Sequence, residues 1–225
     1  MKKIILSATL LAGIMAVSAQ DCKTYFISRE GATAEYNRYD AKHKLTGRNI
    51  VKIAGKTAIP GGVQLNVENT SFDKNNEELM KSEFVVKCEN GVFTFEMDNY
   101  FTPQGEVDDN NAFQVTGDNL DIPANPTVGQ MLKDGSVTIS MPANPVFNMS
   151  IKINNRKVEA IEPVTTPAGT FECVKISYDV ESKMMFVIKT KGTEWHAADV
   201  GLVKSESYDA KGKLSGSQEL VKLAK

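Results

Sequence analysis

Histidine is nearly absent from this chain: only His43 and His196 occur among its 225 residues. A zinc site takes three or four protein ligands, commonly histidine and cysteine, so the sequence holds no complete metal-ligand set and no cofactor is expected. Cysteine is scarce too. Cys22, Cys88 and Cys173 are an odd number, so at most one intramolecular bridge forms, three pairings are open and one thiol is left over. No Gly-x-Ser-x-Gly elbow occurs, and the serines have no histidine base near them in pattern. Beyond residue 20 no apolar run approaches membrane-spanning length. Charge of one sign is missing as well: 26 Lys and Arg face 28 Asp and Glu, often side by side, as in Lys87-Cys88-Glu89. Without a basic stripe to neutralise phosphates, no nucleic-acid partner is expected.

What the chain does have begins at its start. Lys2 and Lys3 precede a short apolar run from Ile4 to Ala16, and Val17-Ser18-Ala19 supplies small residues before Gln20. These are the three parts of a secretory signal peptide, with cleavage expected between Ala19 and Gln20 and delivery to the periplasm or beyond. Cys22 lies close to that point and raises the question of lipidation. Asp21 stands where a lipoprotein has Gly, Ala or Ser, so a soluble exported protein is the expectation. The remaining length, residues 20–225, suits a single β-rich domain large enough to bury a core without metal or disulfides.

The mature sequence alternates with period two. Val63, Leu65 and Val67 alternate with polar neighbours, as do Phe93, Phe95 and Met97, then Val137, Ile139 and Met141, then Phe147, Met149, Ile151 and Ile153, then Val174, Ile176, Tyr178 and Val180. Such spacing puts the apolar side chains on one face of antiparallel strands and leaves the other wet. Asn90-Gly91 reads as a two-residue hairpin turn, and Asn154-Asn155 as another before Val158. Gly61-Gly62, Asp134-Gly135 and Lys211-Gly212 mark further strand boundaries. The expected fold is all-β: a strongly curved antiparallel meander forming an open (half) barrel or a sandwich. From Asn99 to Gly135 the pattern breaks into long loops, with a short helical turn expected near Gln130. Residues 39–47 and 208–216, from Tyr39 to Gly47 and from Tyr208 to Gly216, are nearly the same text. Shared turn chemistry explains this, with an ancient duplication, or two equivalent hairpins at opposite ends of the sheet, as the alternative.

Candidate chemistry is thin. His43 lies in one of those turns, where the other copy has Gly212, so it reads as a surface residue. Glu194 and His196 share one face of a strand and Trp195 the other. As an acid/base pair they are a weak functional-site candidate with Trp195; the plainer reading makes Trp195 core and the flanking pair exposed. Asp73-Lys74-Asn75-Asn76-Glu77-Glu78 starts like a calcium loop but has Glu78 at the sixth position and Phe84 at the twelfth, so it reads as a hairpin loop. Asp108 and Asp109 are weak calcium candidates in a longer loop. Cys88 is in phase with Phe84 and Val86 and should point inward, whereas Cys173 is out of phase with Val174 and Ile176.

From Pro167 onward, Pro167-Ala168-Gly169-Thr170-Phe171-Glu172-Cys173-Val174-Lys175-Ile176, then Thr193-Glu194-Trp195-His196 and Val200-Gly201-Leu202-Val203-Lys204, resemble an uncharacterised TapB-like family of exported bacterial β proteins. The early Tyr-Asp-x-Lys hairpin fits too. The resemblance implies a curved antiparallel sheet in a Gram-negative envelope and carries no catalytic residues. The expected function is a non-enzymatic binder of an apolar small molecule or of an envelope protein, because a curved sheet presents a concave face lined by Val, Ile, Phe and Met. A structural protein with a filled core is the alternative, and a hydrolase using Glu194 and His196 ranks third.

Overall fold

The computed structural model describes residues 23–96, 114–141 and 148–224. The signal segment, Cys22, Asp108 and Asp109 lie outside the described residues. Among these residues there are thirteen strands: β1 (Thr33–Asp40), β2 (Leu45–Ile59), β3 (Gly62–Asp73), β4 (Glu78–Glu89), β5 (Val92–Phe95), β6 (Gln114–Gly117), β7 (Leu120–Pro123), β8 (Gly135–Ser140), β9 (Asn148–Thr166), β10 (Gly169–Lys183), β11 (Val187–Ala197), β12 (Gly201–Asp209) and β13 (Leu214–Ala224). All belong to one antiparallel sheet in the order β6-β8-β9-β10-β11-β12-β13-β1-β2-β3-β4-β5-β7, with no helix among the described residues.

That order explains the curvature. β6 and β7 are separated only by Asp118 and Asn119, yet they form the two opposite edges of the sheet. The Asp118 N–H donates to the Ser136 carbonyl at 2.7 Å and the Ser136 hydroxyl to the Asp118 carboxylate at 2.8 Å, while Leu120 packs on Val137 and Ile139. The sheet therefore curls until its edges stand side by side. Its inner face carries Leu65, Val67, Val86 and Ile176, which alternate as expected, together with Val158 and Leu220, and each is at most 1 % exposed. Burying a side chain of this kind stabilises by about 1.5–3 kcal/mol. Tyr25, Phe26 and Ile27 of the segment before β1 turn back under this core, with Phe26 against the rings of Phe84 and Phe93. Thr24 ties that segment to the β11–β12 turn through Asp199, whose N–H donates to the Thr24 carbonyl at 2.7 Å.

Most turns follow their residues. Asn90 and Gly91 both have positive φ and close the β4–β5 hairpin as expected. Residues 73–78 close the β3–β4 hairpin. Two expectations need correcting. Asn154-Asn155 is not a hairpin; it lies inside the 19-residue β9, where Asn155 at φ 55° kinks the strand beside register shifts against β10. A positive-φ asparagine serves a bulge as well as a turn, and β10 pairs on both sides of it. The stretch to Gly135, expected as loops, contains β6 and β7, and Thr127 to Gln130 form a single turn rather than a helical one.

Candidate functional site

The concave side of the curled sheet holds a cavity of about 310 Å³ that is partly open to solvent. One wall is aromatic, made by Tyr25 and Phe26 of the N-terminal segment with Phe84, Phe93 and Phe95 of β4 and β5. Leu120, Ile122, Ile153 and Leu202 extend the apolar surface, and Asn49, Asn69 and Gln218 add amide groups. Arg156, Glu194 and His196 complete the lining with charged and titratable groups. The volume lies at the small end of the roughly 300–1,000 Å³ usual for ligand sites, and an apolar lining with a few convergent polar groups is their usual make-up.

The polar group is built by register. Ile176 pairs with Glu194 and Val174 with His196, so both polar side chains follow the inward phase of β10. Tyr178 pairs with Gly192, and a Cβ on that glycine would collide with the Tyr178 ring. Gly192 thus lets the ring lie across β11 and brings its hydroxyl to Glu194. The Tyr178 hydroxyl donates to Glu194 Oε1 at 2.7 Å, and His196 Nε2 lies 2.8 Å from Glu194 Oε2. Arg156, 5 % exposed, donates from Nη1 to the Lys133 carbonyl at 2.7 Å.

Burial works against the charge on Glu194, but the hydrogen bonds from His196 and Tyr178 and the Arg156 charge outweigh it and hold the carboxyl below its usual range. With the carboxylate ionised, His196 Nε2 carries the proton of that bond. Nδ1 of His196 is buried and has no hydrogen-bond partner. Burial pushes the Tyr178 hydroxyl well above its ordinary value, with the Glu194 charge adding to the rise. Burial also lowers the Arg156 guanidinium, while Glu194 and Asp121 pull it back up.

The sequence candidates separate across the sheet. Glu194 and His196 are brought together on the cavity wall, so the expectation that they are exposed is corrected to partial burial: the His196 side chain is 15 % exposed and that of Glu194 32 %. Trp195 is buried, but on the opposite, outer face, packed with Cys173 and Val203. Its Nε1–H donates to Glu162 at 2.8 Å, and the Lys175 and Lys204 ammonium groups lie 5.0 and 5.2 Å from the ring centre. His43 is exposed and stacks on Tyr39. Cys88 points inward and is disulfide-bonded, and Cys173 is a free, fully buried thiol. No group of three or more His, Cys, Asp and Glu side chains placed to hold a metal occurs among the described residues. Arg156 and Tyr178 escaped attention as site residues. Tyr178 was on the inward phase, and Arg156 shares the phase of Val158; an arginine in an apolar register was the available signal.

Two solved structures resemble the chain. A protein of Bacteroides fragilis, assigned as exported and having a YmcC-like fold, shares 26% identity with a TM-score of 0.76, covering 91% of this chain and 100% of its own. A protein of Parabacteroides distasonis assigned as a lipoprotein shares 26% identity with a TM-score of 0.78 over the same shares. No curated protein matches. The fold and the broad resemblance to uncharacterised all-β proteins hold, while the TapB-like label is not the one the match carries. A family model matches residues 29–220, and the chain belongs to the DUF3108-like family.

Proposed function

We propose that this is an exported envelope protein that binds a small amphiphile, with the apolar body against the ring wall and a polar head at Arg156, His196 and Glu194. The cavity carries the reading: a purely structural β protein of this kind would fill its core, whereas here about 310 Å³ is lined by apolar side chains beside a polar group. His196 Nδ1 is the buried polar atom in that group still lacking a partner, and a ligand head supplies one. The signal-like start of the chain and the exported and lipoprotein assignments of the two similar structures support an envelope location.

Hydrolysis is the weaker reading, although Glu194 and His196 do share the cavity wall. Among the described residues no Ser, Thr or Cys lines the cavity, and both Glu194 oxygens already take part in hydrogen bonds. Replacing Val51, which lines the cavity, by Phe adds volume inside it and tests the binding reading. Binding of an environment-sensitive apolar dye is expected for the parent and strongly reduced for Val51→Phe, with melting still cooperative. Equal dye binding by both would remove the cavity as the site.

A further inference from the structure

The β10–β11 hairpin ends in five consecutive apolar residues, Met184, Met185, Phe186, Val187 and Ile188, exposed by 56, 80, 75, 50 and 60 %. Alternation would put only every second one on a given face, so both faces of the ribbon tip are apolar here. The tip also stands clear of its neighbour on one side. Pairing of β11 with β12 ends at Thr190↔Asp209, leaving Val187 to Lys189 without a partner from β12. Isolated exposed apolar residues are ordinary, but a contiguous projecting set marks an interaction surface.

We propose that this hairpin tip inserts into the interfacial region of an anionic lipid bilayer. A rigid protein groove meets one face of a ribbon, whereas a fluid acyl region accepts both. The charge beneath the tip fits lipid headgroups. Lys183 and Lys189 flank the apolar run in sequence, and Lys191 and Lys152 stand on the same stretch of β11 and β9. These four lysines face two carboxylates, Glu181 paired to Lys189 at 3.3 Å and Asp179 paired to Lys191 at 3.7 Å, which leaves a positive surplus. Strand alternation brings the β12–β13 and β1–β2 turns to the same end of the sheet. There Lys211 and Lys213 outnumber Asp209, and Lys42 and Lys44 outnumber Asp40, while the β3–β4 turn at that end, farther from the tip in the strand order, carries Asp73, Glu77 and Glu78 against Lys74. Apolar side chains at the acyl boundary with lysines at headgroup level are the arrangement of interfacial anchors. The proposal is independent of the cavity: a protein that docks without a ligand would keep this surface.

Flotation of the purified protein with vesicles of phosphatidylethanolamine and phosphatidylglycerol tests it, with pure phosphatidylcholine vesicles beside them. The protein is expected to float with the anionic vesicles, less with the neutral ones, and less as salt rises. Met185→Asp combined with Phe186→Asp should lower partitioning by at least about tenfold with an unchanged melting temperature, since charge at the acyl boundary is costly. A gain-of-signal variant guards against damage to the tip: the emission of Phe186→Trp should blue-shift on vesicle addition and be quenched by brominated lipid. Failure to float with anionic vesicles, no change on the double substitution, or unaltered emission from the Phe186→Trp variant would each overturn the proposal. Concentration-dependent self-association through the tip without vesicle binding would overturn it too, and would make the partner a second copy.

Discussion

Glu194 is the residue that organises the interior, because Tyr178, His196 and Arg156 are arranged around its charge. The pH dependence follows in sign. A carboxyl held below its ordinary pKa contributes stability above the unfolded value of about 4.3, and the contribution disappears as pH falls through the lower, folded value. Glu194→Gln should therefore melt below the parent at neutral pH, with the gap closing as pH drops beneath about 4. Melts across that range decide it; a gap that stays constant would mean that Glu194 carries no charge in the fold. Gly192→Ala is expected to cost about 1–3 kcal/mol by pushing Tyr178 off β11. A denaturant titration showing no loss would refute the close approach. The sequence was misleading here for a definite physical reason. Alternation separates Glu194 and His196 from Trp195 but does not say which face is inward, and the large indole suggests its own side. A second small cluster on the outer face, covered by lysines, buries Trp195 instead.

Hairpins are the elements in which local sequence speaks most directly. Asp40 accepts from the N–H groups of Lys42 and Lys44, and Asp209 from those of Lys211 and Lys213, at 2.8 and 2.9 Å in both turns. Asp73 does the same for Asn75 and Glu77, and the fourth position of all three turns has positive φ: His43, Gly212 and Asn76. The third turn shares the geometry without sharing the text, so turn chemistry is sufficient to account for the similar stretches. The two similar hairpins are also neighbours, since β13 pairs with β1. Gly212→Ala should destabilise by about 1 kcal/mol because alanine resists φ near 80°, while His43→Gly should be close to neutral; paired denaturant melts check both. Equal effects would mean that the turns relax out of the left-handed region. Strands and tight turns were thus readable from period and turn residues. The Asn155 bulge was not, because its residues are those of a turn and only the partner strand distinguishes the two.

For the whole molecule, the strand order was beyond the sequence. Nothing local says that β1 sits between β13 and β2, or that the short β6 and β7 take opposite edges; those pairings join residues far apart in the chain. Cysteine pairing belongs to this scale too. Cys88 is bonded and Cys173 is free, so the thiol left over, open at the outset, is Cys173. Thiol titration in denaturant should find one thiol before reduction and three after; two after reduction would indicate a modified Cys22. In the native state the remaining thiol should not react, because burial and Glu162 push the Cys173 thiol up to about 12.

The central claim is that the curled sheet holds a ligand site rather than a filled core. Native mass spectrometry of the protein taken from its own cell envelope tests it most directly. The account predicts a bound amphiphile that survives gentle desolvation, is released on unfolding and is lost in Val51→Phe. A bare polypeptide mass from freshly isolated protein, joined to a failure of added amphiphiles to bind, would contradict it.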